Sequence, residues 1–102
     1  MTTENNKIIA EFMGYAIIDK EGNHKDIDYK YHSSWDWLMK VVEKIEQEGA
    51  SVIIGRFFCE IKYENPLNQK QNYSLRLACG IKINAVYEAT LDFIKWYNKN
   101  KN

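Results

Sequence analysis

Ile53-Ile54-Gly55-Arg56-Phe57-Phe58-Cys59-Glu60-Ile61-Lys62-Tyr63 is followed, after the mostly polar Glu64 to Asn72, by Tyr73-Ser74-Leu75-Arg76-Leu77-Ala78-Cys79-Gly80-Ile81. These two runs decide the fold class. Side chains alternate sides along a strand, so a period of two marks a β-strand with one buried face. Ile53, Gly55, Phe57, Cys59, Ile61 and Tyr63 are expected on one face of the first strand, and Tyr73, Leu75, Leu77, Cys79 and Ile81 on one face of the second. An antiparallel hairpin centred on Asn68 pairs Tyr63 with Tyr73, Ile61 with Leu75 and Cys59 with Leu77, which aligns the apolar faces. The opposite face mixes Val52, Ile54, Phe58 and Ala78 with Arg56, Glu60, Lys62, Ser74 and Arg76, as expected of a partly covered surface.

Helical periodicity flanks the hairpin on both sides. Upstream, Ser33-Ser34-Trp35-Asp36 offers a serine N-cap and an acid in the first turn. Trp35, Leu38, Met39, Val42 and Ile45 then fall on one stripe, and Glu48-Gly49 ends the helix. Trp37 stands off that stripe. Downstream, a helix is expected from about Asn84 to Tyr97. Its polar residues Glu88, Asp92, Lys95 and Lys99 collapse onto one narrow line. The remaining arc spans ~240°, against ~100° for an ordinary surface helix. Such a helix is packed on two sides or holds a partner surface.

Nearer the N-terminus, Asn5 or Asn6 caps a short helix through Met13, with Gly14 as its stop. Tyr15 to Asp19 and Asp26 to Tyr31 read as a weaker hairpin around Asp19-Lys20-Glu21-Gly22-Asn23. The expected order is α-β-β-α-β-β-α over residues 1–102, with a frayed tail at 98–102. The expected fold class is α+β, a single domain with its antiparallel sheet sandwiched by helices.

Composition narrows the function classes. One hundred and two residues make one domain, able to bury roughly 65% of its unfolded surface. Fourteen basic and fourteen acidic side chains balance, which disfavours bulk attraction to nucleic acid or anionic membrane. Met1-Thr2-Thr3-Glu4-Asn5-Asn6 has neither the basic nor the apolar region of a signal peptide. No run approaches the ~20 apolar residues of a membrane span, so a cytoplasmic location is expected. Twelve Lys against two Arg, with abundant Ile and Asn, point to an AT-rich genome of bacterial or phage type.

Three segments resemble the small phage and prophage proteins grouped as the phage ABA-sandwich domain. They are Ile8-Ile9-Ala10-Glu11-Phe12-Met13-Gly14, Ser34-Trp35-Asp36-Trp37-Leu38-Met39-Lys40-Val41-Val42-Glu43-Lys44-Ile45, and Ala85-Val86-Tyr87-Glu88-Ala89-Thr90-Leu91. Tyr15 supplies the aromatic that follows Met-Gly in that group. The resemblance implies an α/β/α sandwich in a viral or prophage accessory protein, and it carries over no functional residues.

No cofactor or metal set is expected. His24 and His32, separated by Asp26 and Asp28, match no compact ligand spacing and read as a polar edge strand. Cys59 and Cys79 read as small buried hydrophobes, and Glu43, Glu46, Glu48 and Glu60 as solvated charge. The expected activity is therefore non-enzymatic protein binding, with a homodimer as one form. Trp37, Tyr87, Leu91, Ile94 and Trp96 are the candidate partner-binding residues. The alternatives are a small enzyme or ligand-sequestering protein, with a pocket near the first hairpin and the 64–72 loop, and a single-strand nucleic-acid binder stacking a base on Trp37.

Overall fold

The computed structural model describes residues 2–14, 29–64 and 72–100. Within them the order is α1 (Thr2–Phe12), α2 (Trp35–Gln47), β1 (Ser51–Ile54), β2 (Phe58–Tyr63), β3 (Tyr73–Ala78) and α3 (Lys82–Asn100). The fold is α+β, with three helices and an antiparallel sheet of strand order β1-β2-β3 among the described residues. The first hairpin, expected over 15–31, lies mostly outside the described residues. Its last three, Tyr29 to Tyr31, belong to no strand and run into a turn at 31–33.

The β2–β3 register is the one the alternation implied. Tyr63 lies opposite Tyr73, Ile61 opposite Leu75 and Cys59 opposite Leu77. The long first strand is corrected. It breaks at Gly55-Arg56-Phe57 into β1 and β2, which pair with each other, Ile53 opposite Glu60 and Ile54 opposite Cys59. Partners across this turn have opposite parity, so Val52 and Ile54 join the core face. Ile53 and Gly55, expected inside, do not, and Phe57 lies in the turn beyond the core: Ile53 and Phe57 are 50% and 53% exposed.

Ile54, Cys59 and Leu77 form one inner row, and Val52, Ile61 and Leu75 the next. α3 lies across this face, and α1 and α2 pack on α3. Buried Ile9, Leu38, Val41, Ile45, Ile61, Phe93 and Ile94 form the centre of a single core. The ring pairs Tyr63–Trp96 at 5.7 Å and Tyr73–Phe93 at 5.4 Å tie the sheet to α3. Asn6 reaches Tyr87 while Phe12 reaches Tyr97, so α1 and α3 run in the same direction. α2 follows them, since His32 precedes it beside Tyr87 and Glu48 ends it beside Tyr97.

Helix boundaries follow local chemistry. α1 begins at Thr2, ahead of the expected Asn5 or Asn6 cap, and Asn6 turns inward. Gly14 and Gly49 close α1 and α2 at φ +90° and +106°, backbone that a Cβ disfavours. Ser34 holds the N-cap position of α2 in extended backbone without a side-chain cap bond. On α2 the buried stripe is Leu38, Val41, Val42 and Ile45, while Trp35 and Met39, expected on it, are exposed. α3 continues through Asn98 and Lys99, expected to fray, to Asn100, whose side-chain amide donates to the Trp96 carbonyl at 2.8 Å. Among the described residues no helix is long and apolar enough to cross a membrane.

Candidate functional site

The inner sheet face is spent on the helices, which leaves the outer face. Its rows follow from the register: Gly55, Phe58 and Ala78; then Ile53, Glu60 and Arg76; then Ser51, Lys62 and Ser74. No described element packs on these rows. The first row turns on Gly55. Its N–H donates to the Phe58 carbonyl at 2.9 Å, and a Cβ built there would collide with the Phe58 ring. The glycine thus gives that ring its seat on the sheet.

Cations sit on the rings. The Arg76 guanidinium lies 4.2 Å from the Phe58 centroid, and that of Arg56, in the turn, lies 5.3 Å from the Phe57 centroid. Such contacts are worth about 0.5–1 kcal/mol at exposed sites. Glu60, the one carboxylate in these rows, is met by Lys62 at 3.8 Å. Neither arginine has an ion pair or hydrogen bond among the described residues. Of the chain's two arginines, Arg76 stands on this face in one row with half-exposed Ile53, while Arg56 and half-exposed Phe57 lie in the turn at its end. The surface offers apolar contact and one guanidinium group, that of Arg76, able to take carboxylate or phosphate.

A second cluster lies inside. The Asn6 side chain, 4% exposed, accepts a hydrogen bond from the Tyr87 hydroxyl at 3.0 Å and donates to the Tyr29 carbonyl at 2.9 Å. It also lies 2.9 Å from His32 Nδ1. With both amide hydrogens donated, His32 Nδ1 is the acceptor and its proton sits on Nε2. Asn6 thereby joins α1, the 29–32 segment and α3.

Where the three helices end, a cavity of about 360 Å³ is lined by Glu11, Phe12, Lys44, Glu48, Tyr97 and Asn98. The Tyr97 hydroxyl donates to Glu48 Oε2 at 3.0 Å, and Lys44 Nζ lies 3.6 Å from Glu48 Oε1. Burial, then the Glu48 hydrogen bond, raises the Tyr97 phenol. A further cavity of about 320 Å³, lined by Lys62, Tyr63, Glu64, Asn72, Tyr73 and Ser74, opens at the foot of the 64–72 loop. There the Tyr73 hydroxyl donates to Asp92 at 2.5 Å, and burial followed by that bond raises its phenol.

The residues singled out from the sequence are not gathered on one surface. Tyr87, Leu91 and Ile94 are buried, their area taken up within the chain. Trp96 is half-buried, 5.0 Å from the Tyr73 ring. Trp37 is half-buried elsewhere, edge-on to Tyr31 at 5.3 Å and Tyr29 at 6.3 Å. Cys59 is fully buried and Cys79 half-buried, both as free thiols, and burial pushes the Cys59 thiol up to about 11. No group of three or more metal-ligating side chains converges among the described residues.

The outer face escaped sequence reading because alternation assigned Ile53 to the core. The available signal was the rarity of arginine, at Arg56 and Arg76 alone. No family model, curated protein or solved structure matches this chain. What the face does has to be argued from its own chemistry.

Proposed function

We propose that this chain is a non-enzymatic contact protein that binds another protein, or a second copy of itself, through the outer face of its sheet. One observation carries the reading: Ile53 is half-exposed in one row with Arg76, which has no ion pair among the described residues, on a face that no described element covers. Apolar side chains with arginine at their rim are the composition that binding surfaces favour. The resemblance to the phage ABA-sandwich group supports the finer reading, a phage or prophage accessory protein acting in the bacterial cytoplasm.

The test uses two baits, the wild-type chain and Ile53→Asp/Arg76→Asp, with circular dichroism confirming that both are folded. A stoichiometric protein held by the wild type and lost by the double variant supports the reading. Light scattering reads the self-association form: a dimer that the same variant splits. Identical captured proteins together with identical masses overturn both forms.

A second reading, ligand sequestration, draws on the 320 Å³ cavity beside Tyr63 and Tyr73. It expects thermal stabilisation by a small molecule, growing with ligand concentration, that Tyr73→Ala abolishes. A flat melting temperature across nucleotides, sugars and amino acids ends it.

A further inference from the structure

We propose that β3 is a pairing edge whose occupant is a second copy of this chain: its own β3 adds antiparallel and joins the two sheets into one. The interface is the rim of the sheet and not its outer face, so it goes beyond the contact reading above.

The backbone fixes which groups are on offer. The N–H and C=O of a strand residue point to one side, and those of the next residue to the other. The Cys79 N–H donates to the Phe57 carbonyl at 2.8 Å, so Cys79, and with it Leu77, Leu75 and Tyr73, turns its backbone toward β2. Ser74, Arg76 and Ala78 turn theirs the other way. β3 ends the strand order, and among the described residues nothing bonds these outward N–H and C=O groups.

Proteins guard such an edge with a proline, a bulge or a charge pointing inward. β3 has none of these. Its register with β2 is unbroken from Tyr73 to Ala78, and its inner row is Tyr73, Leu75 and Leu77. Those three are only half-buried, whereas Cys59 and Ile61 on the neighbouring strand are fully covered. A further strand completes their burial.

Closure and register select a second copy. Pairing β3 with β1 of another molecule leaves an edge free at each end and propagates, whereas two β3 strands related by a two-fold axis close as a pair. The rim of β1 is also shorter, with only Val52 and Ile54 turned outward. Centring the β3 pair on Arg76 sets guanidinium against guanidinium, a destabilising like-charge pair. Centring it on Leu75 sets Ser74 of one copy opposite Arg76 of the other, Leu75 opposite Leu75 and Tyr73 opposite Leu77. No like charges then face each other, and each Ser74–Arg76 pair exchanges both of its backbone hydrogen bonds. Centring nearer either end shortens the overlap, since β3 spans only Tyr73–Ala78.

Light scattering of the full chain from ~10 µM to ~1 mM should show the mass rising to that of a dimer, across the weak range of specific association. Ser74→Pro removes an edge donor and no bond to β2. Folded by circular dichroism, it should raise the dimer dissociation constant at least ~10-fold. Oxidation in a Cys79→Ser background reads the register. Leu75→Cys, on the axis with its Cα ~4.5 Å from its counterpart, should form a covalent dimer, and Ser74→Cys should not. A monomer at ~1 mM overturns the proposal, as does a Leu75→Cys chain that stays uncrosslinked, whether or not Ser74→Pro folds. A dimer that folded Ser74→Pro leaves unchanged also overturns it. So does one that Ile53→Asp splits, because that dimer lies across the outer face.

Discussion

Asn6 concentrates more consequence in one side chain than its place near the N-terminus suggests. Its amide accepts from Tyr87, 81 residues away, and donates to the Tyr29 carbonyl and His32 Nδ1. A buried group deprived of its partner costs its full desolvation, about 1–3 kcal/mol. Asn6→Ala is therefore expected to destabilise by about 2–3 kcal/mol in urea unfolding. Tyr87→Phe should cost less, since the carboxamide keeps its other two bonds. The double variant should cost less than the sum, because the two side chains share a bond. Additive losses would show that the network is not coupled. Nothing local marks Asn6 in the sequence. An asparagine at the head of an apolar helical stretch reads as a cap, and what makes it a core residue is the distant phenol it meets.

At the scale of the element, the two-residue turn Arg56-Phe57 governs which side of the sheet each side chain occupies. Gly55→Ala forces a methyl into the Phe58 ring, so the ring has to leave its seat and Arg76 loses its contact. The expected cost is about 1–3 kcal/mol, the range for overpacking. Phe58→Leu in the same chain should recover most of it. A Gly55→Ala variant as stable as the wild type would remove the argument for the glycine. This turn also marks where sequence reading stops. The β2–β3 register was legible because the apolar alternation of two strands and the midpoint of their connection agree. The β1–β2 break was not, since apolar residues continue at every second position from Ile53 to Tyr63 and one glycine is a weak signal. Because facing residues across the turn differ in parity, an unrecognised break inverts the assignment of everything before it. Ile53 thereby moved from expected core to candidate surface. The wide apolar arc of α3 was legible as a fact, and its meaning depended on packing: the sheet, α1 and α2 all pack against it.

For the whole molecule, alkaline pH is the sharpest probe of the core. The Cys59 thiol rises from its ordinary 9.0 to about 11 through burial, and Tyr73, Tyr87 and Tyr97 are also raised above 10.0. The unfolded chain loses these protons first, so it binds fewer of them than the native state and stability falls as pH rises. The Cys59 contribution is intact below about pH 9 and lost between about 9 and 11, up to about 3 kcal/mol. Melting temperatures should fall across that window, and less steeply in Cys59→Val. Superimposable curves for the two proteins would contradict it. A disulfide-exchange reagent should find Cys79 well before Cys59 in the native protein, and both together in denaturant.

The three helices share one direction, and α1 closes against an element near the opposite end of the chain. Assembly is therefore bound to synthesis. While the ribosome is still making the strands, Ile9, Leu38 and Ile61 have no common surface to settle on, because Phe93 and Ile94 do not yet exist. The nascent chain must carry its apolar positions uncovered until Lys82–Asn100 has emerged, and then close everything at once. A premature stop anywhere before Phe93 should leave a product that fails as a whole, with no stable N-terminal part to recover.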